Sequence, residues 1–371
     1  MKSLRDEICL TAGDGGGFRS SEAARLRFHL RRHAEDFIRA PLGFHRAKSC
    51  RATSHDFIFF GSLDRFDLAK GLKCLQKCAI IAIPYTERMK MMKIGITDDA
   101  IRGEEHYRRL RAAGFAYCDF NMADTEKLPY GCDDAGFEDY LKEQRAAAER
   151  AGVTIWQVHG PWRHPVHDST PEERAERMEK MQRSIHGAAI LGAKYWVVHP
   201  IMPCGLDDLL TGNAEKTKAL NLEFMRALLP TAKREGVTIC LENMPFPDFS
   251  ISTPAAIIEI VKEIDDPNFA MCLDTGHTNV CRGWQKPAAA MREYAQYIKV
   301  LHVHDNRKRR DEHLMPFYGS IDWKDFYKAL CEVNFDGVLS LECAPSKQLP
   351  TDIIEDLYPI YFRIAKAICG E

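Results

Sequence analysis

The sequence has no apolar run near the roughly 20 residues that a membrane-spanning helix needs. Its apolar runs are short, as in Cys78 to Pro84. The charged start of the chain is not followed by the apolar segment of a signal peptide either. We therefore expect neither a membrane span nor a secretory leader.

A disulfide framework is also lacking. The cysteines number 13, an odd count, and none forms a Cys-x-x-Cys pair. Cys240, Cys272 and Cys343 lie inside apolar strand-like runs, where a thiol behaves as a small hydrophobic side chain. This usage is typical of a reducing compartment, so we expect a cytoplasmic protein.

Most of the chain lacks the excess of basic residues that a phosphate backbone attracts. Residues 1–90 hold 17 Lys and Arg against 10 Asp and Glu, a net charge of about +7. The remaining residues hold 34 against 43, a net charge of about −9. Because an acidic catalytic part is a poor electrostatic match for nucleic acid, we expect a small-molecule partner.

Residues 1–90 alternate Gly-rich and Arg-rich pieces with short apolar bursts and show no sustained period of 2 or 3.6. Two interpretations fit this pattern. The segment is either an N-terminal extension of little order or the product of a misassigned start, the natural start being Met89, Met91 or Met92. We therefore predict an extension over residues 1–90 and one domain over residues 92–371.

From Met92 onward, eight runs rich in β-branched or aromatic residues alternate with amphipathic segments. The predicted strands are Lys93–Thr97, Ala116–Phe120, Thr154–Gly160, Tyr195–Pro200, Thr238–Asn243, Phe269–Thr275, Lys299–Asp305 and Gly337–Cys343. The predicted helices are Glu104–Ala113, Phe137–Ala151, Pro171–Leu191, Leu220–Glu235, Pro254–Ile264, Pro287–Ile298, Trp323–Val333 and Glu355–Ile368. This number and order predict an α/β fold, the (β/α)₈ TIM barrel. A doubly wound open sheet, the competing layout, does not explain the count of eight.

Six consecutive predicted strands, the third to the eighth, finish an apolar run with a His, Asp or Glu. These residues are His159, His199, Glu242, Asp274, His302 and Glu342. Each alone has an ordinary structural explanation, as a satisfied histidine or a helix cap, but six strands ending alike at the catalytic face of a barrel predict a metal site. Imidazole and carboxylate ligands suit Mn²⁺, Zn²⁺, Co²⁺ or Fe²⁺ better than Ca²⁺.

The motifs at these strand ends resemble those of the xylose isomerase-like TIM barrel superfamily. They are Leu241-Glu242-Asn243, Leu273-Asp274-Thr275-Gly276-His277, His302-x-x-Asp305 and Leu341-Glu342. That superfamily includes sugar and sugar-phosphate isomerases and epimerases, and endonuclease IV. The resemblance runs from Met92 through the last predicted helix and includes none of residues 1–90.

The resemblance implies one divalent metal ion (Mn²⁺, Zn²⁺ or Co²⁺) held by Glu242, Asp274, His302 and Glu342. It also implies that Glu242 and Glu342 are catalytic and move protons on opposite faces of the substrate, through a metal-stabilised enediolate. The implied activity is that of a sugar or sugar-phosphate isomerase or epimerase. The resemblance leaves a homo-oligomer open, because barrels of this family often pair.

Endonuclease IV holds three zinc ions with nine ligands, and the resemblance extends to candidates for all of them. Besides the four residues above, the candidates are His159, His199, His277, Asp311 and His313. These five are predicted to bind further metal ions or the oxygens of a substrate. The alternative function is therefore an endonuclease IV-like phosphodiesterase that acts on abasic DNA.

Two further residues have weaker signals for substrate binding. Trp162 follows the third strand and is either a stacking surface for a sugar ring or part of the core or a lid. Arg307 opens the basic run Arg307-Lys308-Arg309-Arg310, which is either a solvated loop or a recognition site for an anionic substrate. Because residues after position 90 carry no other dense basic stripe, the sequence favours the isomerase over the nuclease.

Overall fold

The computed structural model describes residues 91–98, 103–127, 129–281, 283–343 and 348–371. The predicted N-terminal extension, residues 1–90, lies outside the described residues. From residue 91 onward strands and helices alternate along the chain, as predicted.

Eight parallel strands form one sheet. They are β1 (Lys93–Asp98), β2 (Tyr117–Asn121), β3 (Thr154–His159), β4 (Tyr195–Val198), β5 (Thr238–Glu242), β6 (Phe269–Asp274), β7 (Ile298–His302) and β8 (Val338–Leu341). From β1 to β7 each strand pairs with its neighbour in sequence, and β1 also pairs with β8. A bridge between Val303 and Leu341 joins the ends of β7 and β8. The sheet therefore closes into the predicted barrel.

Helices connect the strands on the outside of the barrel, as in the predicted alternation. Their bounds are α1 (Glu104–Ala113), α2 (Asp134–Ala151), α3 (Pro171–Ile190), α4 (Ala214–Glu235), α5 (Pro254–Ile264), α6 (Thr275–Asn279), α7 (Pro287–Tyr294), α8 (Trp323–Glu332) and α9 (Thr351–Ile368). The short helix α6 was not predicted. It begins at the end of β6, directly after Asp274.

Several helices begin or end at residues that satisfy their free backbone groups. Thr170 forms a capping box with Glu173 at the start of α3, and the Thr253 hydroxyl accepts a hydrogen bond from the backbone N–H of Ala256 at the start of α5. Gly236 ends α4 in the left-handed region, at φ 68°, where a side chain would be strained. These local interactions determine the residues at which α3 and α5 begin and α4 ends.

The barrel wall separates two apolar clusters. The larger one lies between strands and helices and contains Trp196 and Cys343. The smaller one fills the barrel interior below the strand ends and consists of Val197, Cys240, Ala270, Cys272 and Val300. Cys240 and Cys272 thus pack inside the barrel, and Cys343 packs outside it. Among the described helices, none has both the length and the apolar character to cross a membrane.

Candidate metal centre

The polar residues predicted from the strand ends meet at the C-terminal mouth of the barrel. His159, Glu242, Asp274 and His302 are the last residues of β3, β5, β6 and β7, and Glu342 directly follows β8. The first four are buried, and 16% of the Glu342 side chain is exposed. Parallel strands bring their carboxyl ends to one face, so residues far apart in sequence become neighbours.

A central group contains the four residues predicted to hold one metal ion. The ligand atoms of Glu242, Asp274, His302 and Glu342 all lie within 4.8 Å of one another. His302 Nδ1 lies 2.8 Å from Glu242 Oε1 and 3.4 Å from Glu342 Oε2. Four strands, β5 to β8, therefore supply one set of donors.

The second oxygen of Glu242 belongs to another group. Its Oε2 lies 3.1 Å from His199 Nε2 and 3.7 Å from His159 Nε2, and the three ligand atoms are within 4.8 Å of one another. Since Oε1 of the same carboxylate contacts His302, the two oxygens of Glu242 face different groups.

A third group lies nearer the solvent and consists of His277, His304, Asp311 and His313. Asp311 Oδ2 lies 3.2 Å from His277 Nε2 and 2.9 Å from His313 Nε2, and Asp311 Oδ1 lies 3.6 Å from His304 Nε2. His277 and His304 are buried, whereas 42% of the His313 side chain is exposed. His304 was not predicted as a site residue. It lies two residues after His302, and strand alternation could have indicated that both face the same way.

The donor set fits divalent cations. Two ligands of a tetrahedral zinc site are separated by roughly 3.3 Å, given metal–ligand bonds of about 2.0–2.1 Å, and most of the distances above are close to that value. Several buried atoms also lack a hydrogen-bond partner among the described residues. They are His199 Nδ1, His304 Nδ1, Asp311 Oδ1 and Glu342 Oε2. Leaving so many polar atoms unpaired is costly, and bound cations would compensate for it.

The charge on each histidine of these groups depends on the carboxylates around it. Burial disfavours charge on His302 and His277, yet the surrounding carboxylates raise the pKa of both well above the usual value for histidine. Asp311 and Glu342 likewise outweigh burial and raise the pKa of His313 to about 10. Without a metal ion, protons on these imidazoles balance the buried acids, which is the balance that a divalent cation would otherwise provide.

For Glu342 and Cys272, burial is the largest influence on the pKa, and it raises the pKa of both side chains. Burial and the nearby Glu242 carboxylate raise the pKa of Glu342 well above its usual value. Burial likewise raises the pKa of the Cys272 thiol well above its ordinary range. The Cys272 thiol lies close enough to Glu242 and His302 to complete a fourth group. A protonated thiol is a poor ligand, however, which is consistent with the predicted packing role.

Hydrogen bonds beneath the mouth fix the Asp274 region. The Asn243 side chain accepts from the backbone N–H of Asp274 at 2.9 Å and donates to its carbonyl oxygen at 3.1 Å. Asp274 Oδ1 in turn accepts from the N–H of His277 at 2.6 Å and caps α6. The motif therefore has a local physical basis, because the cap of α6 sets the position of both Asp274 and His277.

The two weaker substrate candidates lie at the rim. The Trp162 ring meets the His199 ring edge-on, with centroids 4.5 Å apart. Arg307 is bound to Glu312, which accepts from its guanidinium at 3.0 Å and from its backbone N–H at 2.8 Å. Trp162 thus contacts a residue of the candidate centre, whereas Arg307 has an acidic partner of its own.

Two residues below the centre were missed by the sequence predictions. Asp119 lies in β2 and Gln157 in β3, and both are fully buried inside the barrel. Asp119 Oδ2 lies 2.9 Å from His302 Nε2 and accepts from Gln157 Nε2 at 2.9 Å. The available signal was a lone acid within the apolar strand Tyr117–Asn121, where a buried carboxyl needs a partner.

The fold and the motifs match a known family model, described as the xylose isomerase-like TIM barrel, over residues 107–358. The chain belongs to this family. The match begins within α1 and ends within α9, so it spans nearly the whole barrel and confirms the resemblance seen in the strand-end motifs.

Relatives in this family have more than one activity. An uncharacterized protein of Methanocaldococcus jannaschii is 31% identical over 209 residues, which are 55% of this chain and 68% of that protein. The D-psicose 3-epimerase of Ruminiclostridium cellulolyticum is 26% identical over 215 residues, 54% of this chain and 67% of the epimerase. A probable endonuclease 4 of Acholeplasma laidlawii is 23% identical over 239 residues, 60% of this chain and 77% of the endonuclease.

A solved structure extends the similarity along the whole barrel. A D-tagatose 3-epimerase-like protein is 26% identical, with a TM-score of 0.56, over 74% of this chain and 99% of that protein. With the relatives above, this similarity assigns the chain to a superfamily of sugar isomerases and epimerases that also includes endonuclease 4.

Proposed function

We propose that the chain is a divalent-metal-dependent sugar or sugar-phosphate isomerase or epimerase. The observation that carries this proposal is the convergence of Glu242, Asp274, His302 and Glu342 at the mouth of the barrel, with ligand atoms within 4.8 Å. Such a reaction needs two groups that exchange protons with carbon as well as a cation site, and this group contains two glutamates. The similarity to D-psicose 3-epimerase supports the same class of reaction.

The residues have distinct tasks in this mechanism. A bound Mn²⁺, Zn²⁺ or Co²⁺ ion would polarise a substrate carbonyl and acidify the neighbouring C–H. One of Glu242 and Glu342 removes that proton, and the bonding electrons stay on the substrate. The other glutamate donates its proton to the same carbon from the opposite face, which inverts the centre. Asp274 and His302, together with the two glutamates, would hold the cation.

The access to the centre favours a small substrate. Glu242, Asp274 and His302 are fully buried, and the partly exposed side chains are Glu342, Asp311 and His313. A substrate therefore enters past the third group, where imidazole and carboxylate can bind its hydroxyls. The Trp162 ring beside His199 is the proposed contact for a sugar ring, and Arg307 is a proposed contact for an anionic group.

A second candidate function, metal-dependent hydrolysis of a phosphodiester at abasic sites in DNA, is favoured by the two further groups. His159 and His199 with Glu242, and His277, His304 and His313 with Asp311, are donor sets beyond the need of a single-metal isomerase. Against this candidate stands the net charge of about −9 after residue 90, which repels a nucleic-acid backbone.

One experiment separates the two candidates. The protein is incubated in D₂O with Mn²⁺, Co²⁺ or Zn²⁺ and a panel of ketoses, ketose phosphates and inositol-derived ketones, and deuterium incorporation is measured by mass spectrometry. The proposal expects deuterium at the carbon beside the carbonyl, and Glu342→Gln should abolish it. Glu332→Gln on α8 is the matched control, since Glu332 bonds Arg292 on the surface. Cleavage of abasic duplex DNA with no deuterium incorporation would reject the isomerase.

A further inference from the structure

The His302 ring is held between two carboxyl groups on opposite edges. Nδ1 lies 2.8 Å from Glu242 Oε1 on the side of the candidate metal centre. Nε2 lies 2.9 Å from Asp119 Oδ2 on the side of the barrel interior. All three residues are fully buried. The two ring nitrogens therefore have different partners, one in the metal-binding group and one outside it.

We propose that Asp119 is a positioning residue that keeps a proton on His302 Nε2 and so leaves Nδ1 free to bind the metal ion. A neutral imidazole has one N–H and one free lone pair, and the acceptor beside one nitrogen decides which nitrogen keeps the proton. A carboxyl behind a metal-binding histidine fixes the tautomer and the ring plane and makes the ligand more basic. This inference rests on the metal site of the proposed function.

The surroundings of Asp119 support this role. Gln157 Nε2 donates to Asp119 Oδ2 at 2.9 Å and also lies 3.3 Å from the carbonyl oxygen of Leu301, the residue before His302. Gln157 thus ties Asp119 in β2 to the backbone of β7. Gln157 therefore holds the Asp119 carboxyl group toward the His302 ring, and β7, which carries His302, holds Gln157.

A packing role alone does not explain a carboxyl at this position. Asp119 Oδ1 is buried without a hydrogen-bond partner among the described residues, and an unsatisfied buried polar atom is destabilising. Apart from Gln157, the neighbours that fill the barrel interior below the strand ends form an apolar cluster of Val197, Ala270 and Val300 with two thiols. An apolar residue at position 119 would suit that layer better, so the carboxyl is accounted for by its contact with His302.

The test measures metal affinity. Zinc is titrated into the metal-free protein in competition with a chromophoric chelator, and the binding step that disappears in His302→Gln identifies the central site. Asp119→Asn keeps the size of the side chain but removes the negative charge that makes the His302 ring a more basic ligand, so zinc binding in this step should weaken about 10- to 100-fold. Asp208→Asn is the matched control, because Asp208 is equally buried and bonds the N–H and hydroxyl of Ser250. Unchanged affinity in Asp119→Asn would overturn the proposed role.

A second measurement needs no variant at position 119. In zinc-loaded protein labelled with ¹⁵N-histidine, the His302 resonances, assigned by their absence in His302→Gln, should show zinc on Nδ1 and a proton on Nε2. Zinc on Nε2 would refute the inference even if Asp119→Asn does not fold. A wild-type protein with no His302-dependent zinc binding would instead overturn the metal site of the proposed function along with this inference.

Discussion

The rings of His304 and His313 are stacked, with centroids 4.0 Å apart and planes 14° from parallel. His304 is buried two residues after the end of β7, whereas His313 lies further along the same loop, with a left-handed backbone at φ 44°. A bridge between Asp305 and Leu314 folds that loop back toward β7. The stack therefore brings two histidines that are nine positions apart in sequence to the same carboxylate, Asp311.

This stack predicts that His304 is a ligand of the third group. His304→Ala should weaken zinc binding there by at least roughly tenfold, because one of four donors is lost, while the His302-dependent step stays unchanged. Zinc stoichiometry by plasma emission and competition titration measure the effect. His186→Ala is the control, since His186 pairs with Glu138 and Glu235 on the helices. The same affinity and stoichiometry in His304→Ala and wild type would contradict the assignment.

Metal binding should release protons and tighten as the pH rises. The pKa of His313 is raised to about 10, and those of His277 and His302 are well above the usual value, so these imidazoles hold protons at neutral pH in the metal-free protein. A cation must displace these protons, and each unit of increasing pH below those pKa values lowers that cost. Calorimetric titrations of Zn²⁺ in two buffers of different ionisation enthalpy would count the protons. Zinc binding that releases no protons, and whose affinity does not change between pH 6 and pH 9, is incompatible with this expectation.

Removal of one partner from a buried ion pair near the mouth should destabilise the protein strongly. Arg177 on α3 donates to Asp168 Oδ1 at 2.9 Å, and Asp168 Oδ2 accepts from the N–H of Met202 in the loop after β4. Arg177→Met leaves a buried, unpaired carboxyl group and should lower the free energy of unfolding by about 3–5 kcal/mol. Urea unfolding followed by circular dichroism measures this change.

The control for this prediction is an arginine on the surface that also forms ion pairs with carboxylates of another part of the chain. Arg292 contacts Asp325 and Glu332 on α8, and all three side chains are partly exposed. Arg292→Met should cost no more than about 1 kcal/mol, because solvent screens an exposed pair. If both variants lose the same small amount, Asp168 and Arg177 do not form the stabilising pair that the geometry indicates.

The barrel could be predicted from the sequence because its signals are local and repeat eight times. The predicted bounds of α1 and α5 agree with the structure. The third to eighth strands were predicted too long at their carboxyl ends, whereas β1 and β2 each end one residue later than predicted. Beyond β7, for example, Val303 and Asp305 form only isolated bridges, to Leu341 and Leu314 respectively. Hydrophobicity alone does not show where a strand stops pairing with its neighbour, because the residues that follow stay buried beneath the loops.

The site could be predicted less completely, since it depends on distances across the barrel. The strand ends identified Glu242, Asp274, His302 and Glu342 as neighbours, and the structure brings them together. His304 was not predicted because it lies beyond the end of β7, where only the fold of the following loop brings Asp311 and His313 to it. Asp119 was overlooked because its partner lies 183 positions away, and only the closed barrel places it beneath His302.

The closure between β7 and β8 has a consequence for the order in which the protein matures. The N–H of Glu342 donates to Val303 O, and the N–H of Val303 donates to Ser340 O, at the seam that completes the barrel. Glu342 thus reaches the other donors only when the last strand has docked. A cation bound there stabilises the closed barrel relative to partly folded chains in which β8 has not docked. Metal uptake would therefore mark the end of folding rather than precede it.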